Sequence, residues 1–339
     1  MKVCFVDLGG DEPGLNVGLG YLCSYVERHP AVKELKVFDF NNSKENFDQK
    51  IGKIMGFDLV GITMRSANTK NVSKIARKIK NKNKILIVGG IHVTIDGVNF
   101  LKENPEFSIG VIGEGEETVL EIIDYILGKK KLQNINGIIY RKGSKIIRNK
   151  FRKLNENLDS FHFPNYTYFD SVQESRTHVE TYPILTSRSC PFKCSFCICS
   201  KVLGEKWRAR SVENVIEELI QAKNKYKIKK FSMVDDNWSL DMKRAKKICR
   251  KLIEKRLNFD WVPQSGMRAD KVDRELLKLM KKSGCSELIF GIESGNKKVF
   301  KNIEKGEKLE DIEKAVKHNT FAKEVGMKIG GFFIIGLPN

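Results

Sequence analysis

Four of the chain's eight cysteines fall between Cys190 and Cys199, in the stretch SRSCPFKCSFCICS (187–200). Cys190, Cys194 and Cys197 are spaced C-x3-C-x2-C, and Cys199 follows two residues later. Structural zinc sites draw four Cys or His ligands from two separated pairs. Here every thiol comes from one loop, and the nearest preceding histidine is His178. In a cytosolic chain such cysteines bind metal or do redox chemistry more often than they form disulfides. An iron–sulfur cluster on Cys190, Cys194 and Cys197 leaves one iron without a protein ligand. Cys199 could be the fourth ligand, but thiols at i and i+2 of an extended segment point to opposite faces, which favours the open iron. Cys4, Cys23, Cys249 and Cys285 sit among apolar neighbours and read as small buried hydrophobes.

The elements around this loop set its context. The 339 residues suggest two domains. No apolar run reaches the ~18 residues a membrane span needs, and MKVCFVDLGG runs straight into a strand-like stretch rather than a signal peptide. A cytoplasmic protein is expected. The net charge of +19 divides as +7 over residues 1–150 and +12 over 151–339. That spread argues against a single nucleic-acid stripe.

Short, uniformly apolar strands alternate with amphipathic helices over residues 1–130. Strands are predicted at 2–8, 35–40, 59–64, 84–88 and 109–112, with helices at 17–29, 71–80 and 116–127. This pattern predicts a parallel sheet covered on both faces, with a ligand beyond the carboxyl ends of its strands. Those ends carry Gly9–Gly10, Arg65–Ser66, GGIHVT (89–94) and GEGEE (113–117). No G-x-G-x-x-G follows the first strand and no Walker A motif occurs, which speaks against nicotinamide and P-loop cofactors. Residues 131–182 read as a hairpin, turning at Lys142-Gly143-Ser144, and a linker. From 183 to 339 five strands and four helices alternate, the last strand leading into GLPN.

The three-cysteine motif, with Phe196 before its last cysteine and a βα series after it, resembles the radical S-adenosylmethionine superfamily. MVDDNW (233–238), SGMRAD (265–270), GIESG (291–295) and GFFIIGLPN (331–339) resemble the motifs that follow in that family. NVGLGYLCSYV (16–26), VGGIHVT and GEGEE resemble the cobalamin-binding domain of its largest cobalamin-dependent subgroup, and the linker is similar too. The implied fold is α/β: a Rossmann-like cobalamin-binding domain, then a partial (β/α)6 barrel expected to stop before its last strand. No D-x-H-x-x-G occurs, so no histidine ligand to cobalt is assigned.

The resemblance implies three cofactors: a 4Fe-4S cluster on Cys190, Cys194 and Cys197, S-adenosylmethionine on its open iron, and cobalamin. Asp235 or Asp236 would meet the ammonium of S-adenosylmethionine and Arg268, in bidentate fashion, its carboxylate. Glu293 and Ser294 would meet the ribose, and Phe196, Gly336 and Pro338 the adenine. Arg65, Ser66, Gly89, Gly90, His92, Thr94, Gly113, Glu114 and Gly115 would line the corrin. The implied activity is reductive cleavage to a 5′-deoxyadenosyl radical, then methylation of an unactivated carbon of a small-molecule or lipid-like substrate. An external one-electron donor such as ferredoxin or flavodoxin is expected. The alternatives are radical ring formation or rearrangement without methyl transfer, and a non-catalytic metal- or cobalamin-binding relative. A methylthiotransferase acting on RNA would carry a second three-cysteine set, whereas residues 1–150 hold only Cys4 and Cys23.

Overall fold

The apolar runs of the N-terminal half form one sheet in the computed structural model, which describes residues 1–9, 14–80, 84–324 and 326–337. Its strands are β1 (Lys2–Asp7), β2 (Glu34–Asp39), β3 (Leu59–Thr63), β4 (Ile85–Gly89), β5 (Ile109–Val111), β6 (Ile138–Lys142) and β7 (Lys145–Arg148). Their spatial order is β2-β1-β3-β4-β5-β6-β7, the first five parallel and the last two antiparallel. Consecutive connections leave β1 toward β2 on one side and then cross to β3 on the other. The carboxyl ends of β1 and β3 therefore flank a topological switch point, where sheets of this order open a crevice.

Six helices accompany the sheet: α1 (Val17–Val26), α2 (Phe47–Ile54), α3 (Thr69–Ile79), α4 (Ile91–Glu103), α5 (Glu116–Ile126) and the short α6 (Asp170–Glu174). Ile51 and Ile54 of α2, Val72, Ile75 and Ile79 of α3, and Phe100 and Leu101 of α4 pack on Val6, Val60, Ile62 and Val88 in one core. Each such buried aliphatic stabilises the fold by roughly 1.5–3 kcal/mol relative to exposure. Neither α2 nor α4 is predicted from the sequence. The first is a short basic helix started by Asn46, whose side chain accepts from the Gln49 amide. The second begins directly after Gly90, so His92 and Thr94 stand on the first turn of a helix rather than in a loop.

The hairpin of β6 and β7 turns at Gly143, with φ +60°, and extends the sheet through pairing of Ile138 with Val111 and Tyr140 with Ile109. Residues 162–178 clip onto the same body. The Val37 amide donates to the Tyr168 carbonyl at 2.7 Å and the Asn165 amide to the Gly20 carbonyl at 2.9 Å. Asp170 pairs with the fully buried Lys50 at 2.8 Å. Gly20 is what lets this strap close, since a Cβ there would lie 2.6 Å from the Tyr166 ring. Met1–Asn155 and His162–His178 thus form one unit, and Glu156–Phe161 with Val179–Asn339 form a second.

In the second unit β8 (Thr181–Ile184), β9 (Ser187–Arg188), β10 (Arg208–Ala209), β11 (Lys230–Met233), β12 (Asp260–Pro263), β13 (Glu287–Glu293) and β14 (Lys328–Phe333) follow one another. β8, β11 and β12 form one parallel sheet and β13 and β14 another, while β9 and β10 make a small antiparallel pair. Main-chain bonds from Trp261 to Gly284 and Ser286, and from Met267 to Ile289 and Gly291, join the two sheets. Five parallel strands therefore run in chain order as a curved wall.

The helices of this unit are α7 (Cys199–Leu203), α8 (Val212–Tyr226), α9 (Met242–Glu254), α10 (Arg274–Lys282), α11 (Lys297–Asn302) and α12 (Leu309–Glu324). Ser211, Asp241, Asp273 and Asn296 cap four of them through side-chain oxygens. Helix α9 shows why it forms: Ala245, Ile248, Cys249 and Leu252 recur at helical spacing and are all buried.

Candidate functional site

The cysteine loop follows β9 and ends in α7. Cys190, Cys194 and Cys197 are half-buried, and all three are free thiols. Asn237 Nδ2 donates toward Cys190 Sγ at 3.8 Å, and the Cys199 amide toward Cys197 Sγ at 3.5 Å. Such N–H···S bonds stabilise thiolate charge. No three His, Cys, Asp or Glu side chains among the described residues lie within the shell of one ion. Cys199 is different: it is 8 % exposed and its thiol bonds to the Asp236 carboxylate. Burial first, and then Asp236, push that thiol far above its ordinary range, and in this structure it is a hydrogen-bond donor to Asp236.

The acidic pair after β11 divides. Asp235 is 2 % exposed and accepts from the Thr186 amide (2.7 Å), the Thr186 hydroxyl (2.6 Å) and the Ser187 hydroxyl (2.6 Å). Burial raises its carboxyl, and these donors pull against that rise. Asp235 thereby fixes the turn between β8 and β9, and both its oxygens are engaged. Asp236 is exposed. It accepts from the Ser189 amide and the Cys199 thiol, and a carboxylate offers about four acceptor positions. Neither acid caps the following helix, a role Asp241 takes.

Arg268 follows β12 and is 8 % exposed, so its pair with Asp270 at 2.9 Å is not a surface pair. Nε donates to Asp270, Nη1 donates to the Lys305 carbonyl at 2.7 Å, and Nη2 is buried without a hydrogen-bond partner. Two of the five N–H donors of the guanidinium are thus used, and those left on Nη1 and Nη2 could still grip a carboxylate. The guanidinium lies 3.4 Å from the ring centroid of Phe192, in the cysteine loop. Burial raises the Cys194 thiol, and Arg268, followed by Lys305, pulls it back down.

Glu293 ends β13 at φ +62°, beside a register shift in the strand. A non-glycine residue held there stores backbone strain of the kind that clusters at functional sites. Its carboxylate is 3.4 Å from Lys305 Nζ, which also pairs with Glu307 at 2.8 Å. Ser294 is half-buried and its hydroxyl accepts from the Asn296 amide. Phe196 is 40 % exposed and Gly336, at φ +89°, is also exposed, while Pro338 lies outside the described residues. The cysteine loop thus meets the ends of β11 through Asn237 and Asp236, and of β12 through Arg268. Phe192, Asn237, Lys305 and Glu307 are missed from sequence, because a lysine and a glutamate in EKGEK (304–308) look like a solvated charge run.

In the first unit the expected residues gather at the carboxyl ends of β3, β4 and β5. The Ser66 hydroxyl and His92 Nδ1 are 2.9 Å apart, and the Arg65 amide donates to the Asn68 side chain at 2.9 Å. Gly90 has φ +105°, and a Cβ there would lie 2.6 Å from the Met64 carbonyl oxygen. Its glycine is thus required by the crossing of β3 rather than by a ligand. Thr94 is 6 % exposed and joins two loops, donating to the Gly90 carbonyl at 3.1 Å and accepting from the Gly113 amide at 3.0 Å. It braces the rim instead of facing a ligand. Gly89, Gly113, Glu114 and Gly115 are half-buried on that rim, Gly113 at φ +73° and Gly115 as the residue before α5. The strand ends thus present glycine backbone that is exposed at Gly90 and half-buried at Gly89, Gly113 and Gly115.

Sequence missed Asp7, at the end of β1 on the switch point. It is 5 % exposed and accepts from the Gly9 amide at 3.0 Å. Burial pushes its carboxyl up to about 6 against the pull of that amide.

Comparisons with known proteins agree with this division. The Radical SAM superfamily model matches residues 184–339 and the B12 binding domain model residues 2–123. An uncharacterized methyltransferase of Pyrococcus horikoshii is 34% identical over 332 residues, covering 96% of this chain and 70% of that protein. The cytidylyl-2-hydroxyethylphosphonate methyltransferase of Streptomyces wedmorensis is 28% identical, covering 95% of this chain and 69% of that one. Among solved structures, the radical S-adenosylmethionine methyltransferase TsrM of Kitasatospora setae, with tryptophan and a SAM analogue bound, superimposes with a TM-score of 0.84 at 17% identity. The match covers 100% of this chain and 68% of that one, and it concerns the fold.

Proposed function

Because the chain belongs to the radical S-adenosylmethionine superfamily and carries its B12-binding domain, we propose that it methylates an unactivated carbon of a small-molecule or lipid-like substrate. It is a radical S-adenosylmethionine enzyme, and its cofactors are a 4Fe-4S cluster, S-adenosylmethionine and cobalamin. When bound, the cluster would supply the electron for reductive cleavage of S-adenosylmethionine, and cobalamin would carry the methyl group.

The chain's own residues hold and orient. Cys190, Cys194 and Cys197 are the proposed iron ligands. Asp236, with acceptor positions to spare, is the proposed partner of the methionine ammonium, a charge-assisted bond. Asp235 is withdrawn from that role, since its oxygens hold the Thr186–Ser187 turn. Arg268 has Nη2 left for the carboxylate. Glu293 and Ser294 are the proposed ribose contacts, and Phe196, Gly336 and Pro338 the adenine side. Arg65, Ser66, Gly89, Gly90, His92, Gly113, Glu114 and Gly115 form the proposed corrin platform, with Thr94 bracing it from behind.

The observation that carries the reading is the loop of three half-buried free thiols, with Asn237 beside Cys190 and Arg268 over Phe192 of the same loop. Free thiols in this arrangement suit a reducing, cytoplasmic setting, with ferredoxin or flavodoxin as the proposed electron donor. No helix among the described residues is long and apolar enough to cross a membrane. The test is anaerobic reconstitution with iron, sulfide and hydroxocobalamin, followed by reduction with S-adenosylmethionine present. About four irons, one corrin per chain, and release of 5′-deoxyadenosine are expected. A reconstituted protein that holds the cluster yet yields no 5′-deoxyadenosine sinks the radical chemistry. One that cleaves S-adenosylmethionine but retains no corrin sinks the methyl-transfer reading alone.

A further inference from the structure

Next to the cysteine loop the charges sort by depth. The carboxylates of Glu293 and Glu307 turn inward onto the ammonium of Lys305, which is itself 5 % exposed. The stretch between those two acids has a different outer face. Helix α11 buries Val299 and Phe300 and exposes Lys297, Lys298 and Lys301. At 3.6 residues per turn these three lysines fall within about 100° of arc, so they share one side of the helix. No acidic residue occurs between Ser294 and Ile303, and Glu304 is the next exposed acid. The cysteine loop adds Lys193, whose partner Glu205 lies at 3.0 Å; both side chains are largely exposed, so that pair holds the charge only weakly.

This basic face is joined directly to the cysteine loop. The Ser195 amide, beside Cys194, donates to the Ile303 carbonyl at 2.9 Å, two residues after Lys301. Gly306 lies against the Phe192 ring, where a Cβ would be 3.5 Å from it. Single-stranded nucleic acid is held by stacking aromatics and arginine as well as by charge. Here the exposed cations are all lysine, and the aromatic of α11, Phe300, is buried. Electron-transfer encounters between proteins are small, weak and steered by opposite charge, which flexible, strongly hydrated lysines suit.

We propose that Lys193, Lys297, Lys298 and Lys301 form the docking surface for an acidic one-electron carrier protein, whose redox group is thereby set against the cysteine loop. This rests on the reading that Cys190, Cys194 and Cys197 carry the cluster. The step is a bare electron transfer: the docked carrier is oxidised by one electron, the cluster is reduced by one, and no bond of this chain forms or breaks. A small reductant such as dithionite needs no docking, so the surface matters only to a protein donor.

The test uses flavodoxin as the probe and the reconstituted full chain. Binding is measured by calorimetry at low and at physiological salt, and 5′-deoxyadenosine release is followed with photoreduced flavodoxin or with dithionite. Lys297→Glu/Lys298→Glu/Lys301→Glu is expected to weaken flavodoxin binding at low salt by about tenfold or more, to slow the flavodoxin-driven reaction, and to leave the dithionite-driven one unchanged. A matched reversal on the exposed lysines of α9 and its C-terminus, Lys243→Glu/Lys247→Glu/Lys255→Glu, is expected to lose far less. Undiminished binding in the α11 variant overturns the proposal, as does equal weakening in the α9 variant. Wild type that fails to bind flavodoxin at low salt, whether or not it captures a short oligouridylate, overturns it too. If the α11 variant does not fold, carbodiimide cross-linking of the wild-type complex decides. Bonds from flavodoxin carboxylates to Lys193, Lys297, Lys298 or Lys301 support the surface, and bonds to other lysines only overturn it. Wild type that releases no 5′-deoxyadenosine even with dithionite counts against the radical reading instead, while the binding and cross-linking results still decide the surface.

Discussion

The strand ends of the two units are built from different material. At β3, β4 and β5 the rim is largely backbone: Gly89, Gly90, Gly113 and Gly115, with Thr94 tying the loops from behind. At β11, β12 and β13 it is charged side chains, several of them buried: Asp235, Arg268, Glu293 and, from the following loop, Lys305. The first arrangement offers shape and leaves most directional contacts to whatever lies on it. The second offers fixed charges whose positions are determined before any ligand arrives. A site that must orient a small charged molecule beside a metal cluster benefits from the second kind, since a preorganised charge needs no reorganisation when the reaction occurs. A platform for a large, flat cofactor benefits from the first.

The contrast is sharpest at two adjacent residues. Asp235→Ala would leave the Thr186 amide and the Thr186 and Ser187 hydroxyls without their acceptor. The expected loss is about 3–5 kcal/mol of stability, read as a fall in urea midpoint. Asp236→Ala, at an exposed position, removes the acceptor of the Ser189 amide and the Cys199 thiol and is expected to cost about 1–2 kcal/mol, less than Asp235→Ala. It should weaken S-adenosylmethionine binding about tenfold or more, measured by calorimetry on the reconstituted protein. Equal losses of stability would show that the pair is not divided as described.

On the first unit the corresponding pair is Gly90 and Gly89. Gly90→Ala would place a Cβ against the Met64 carbonyl at φ +105°, and is expected to cost about 2–3 kcal/mol. Gly89→Ala would put its Cβ 3.5 Å from Val111, an ordinary contact, and should cost less than about 1 kcal/mol. If Gly89→Ala folds normally but loses corrin on gel filtration, the backbone rim is the platform. If it retains corrin at wild-type stoichiometry, the rim at β4 is not where the cofactor lies.

A pH-dependent effect is expected at Asp7. Its carboxyl is raised from its ordinary value to about 6 in the folded chain, chiefly by burial. A raised carboxyl binds its proton more tightly in the folded state. Its stabilising contribution is full below the unfolded value of about 4 and is lost as pH rises through about 6. Asp7→Asn does not titrate, so thermal melts should show it gaining on wild type between pH 4 and 7, by up to about 3 kcal/mol. A constant gap across that range would mean that burial does not govern the group.

What the sequence makes legible follows from which forces are local. The strands of both units and helices α8, α9 and α10 are predictable because apolar periodicity and capping residues lie within a few positions of each other. The cysteine loop is legible because spacing alone restricts its chemistry. Helix α2 is missed because it is short and basic, and α4 because GGIHVT reads as a loop until the sheet is seen beneath it. The split between Asp235 and Asp236 is invisible in sequence, where the two are chemically identical. Only the approach of Thr186, from the turn between β8 and β9, 49 residues earlier, decides which one is engaged. Lys305 hides for the same reason, because its cage is assembled from Gly291, Glu293 and Glu307 in three dimensions.

The strap of residues 162–178 changes how this chain can be divided. The stretch Glu156–Phe161 belongs to one body, while the residues on either side of it belong to the other. The polypeptide therefore passes between bodies three times before committing to the second. No single scission between residues 150 and 180 releases both halves intact. A cut before the strap strips Asp170 from Lys50 and Tyr166 from its seat on Gly20, and a cut after it carries six residues of the neighbour along. Recombination that shuffles these modules must inherit the stitched boundary whole, and the excised first unit has to be expressed through His178 to keep its own fastening.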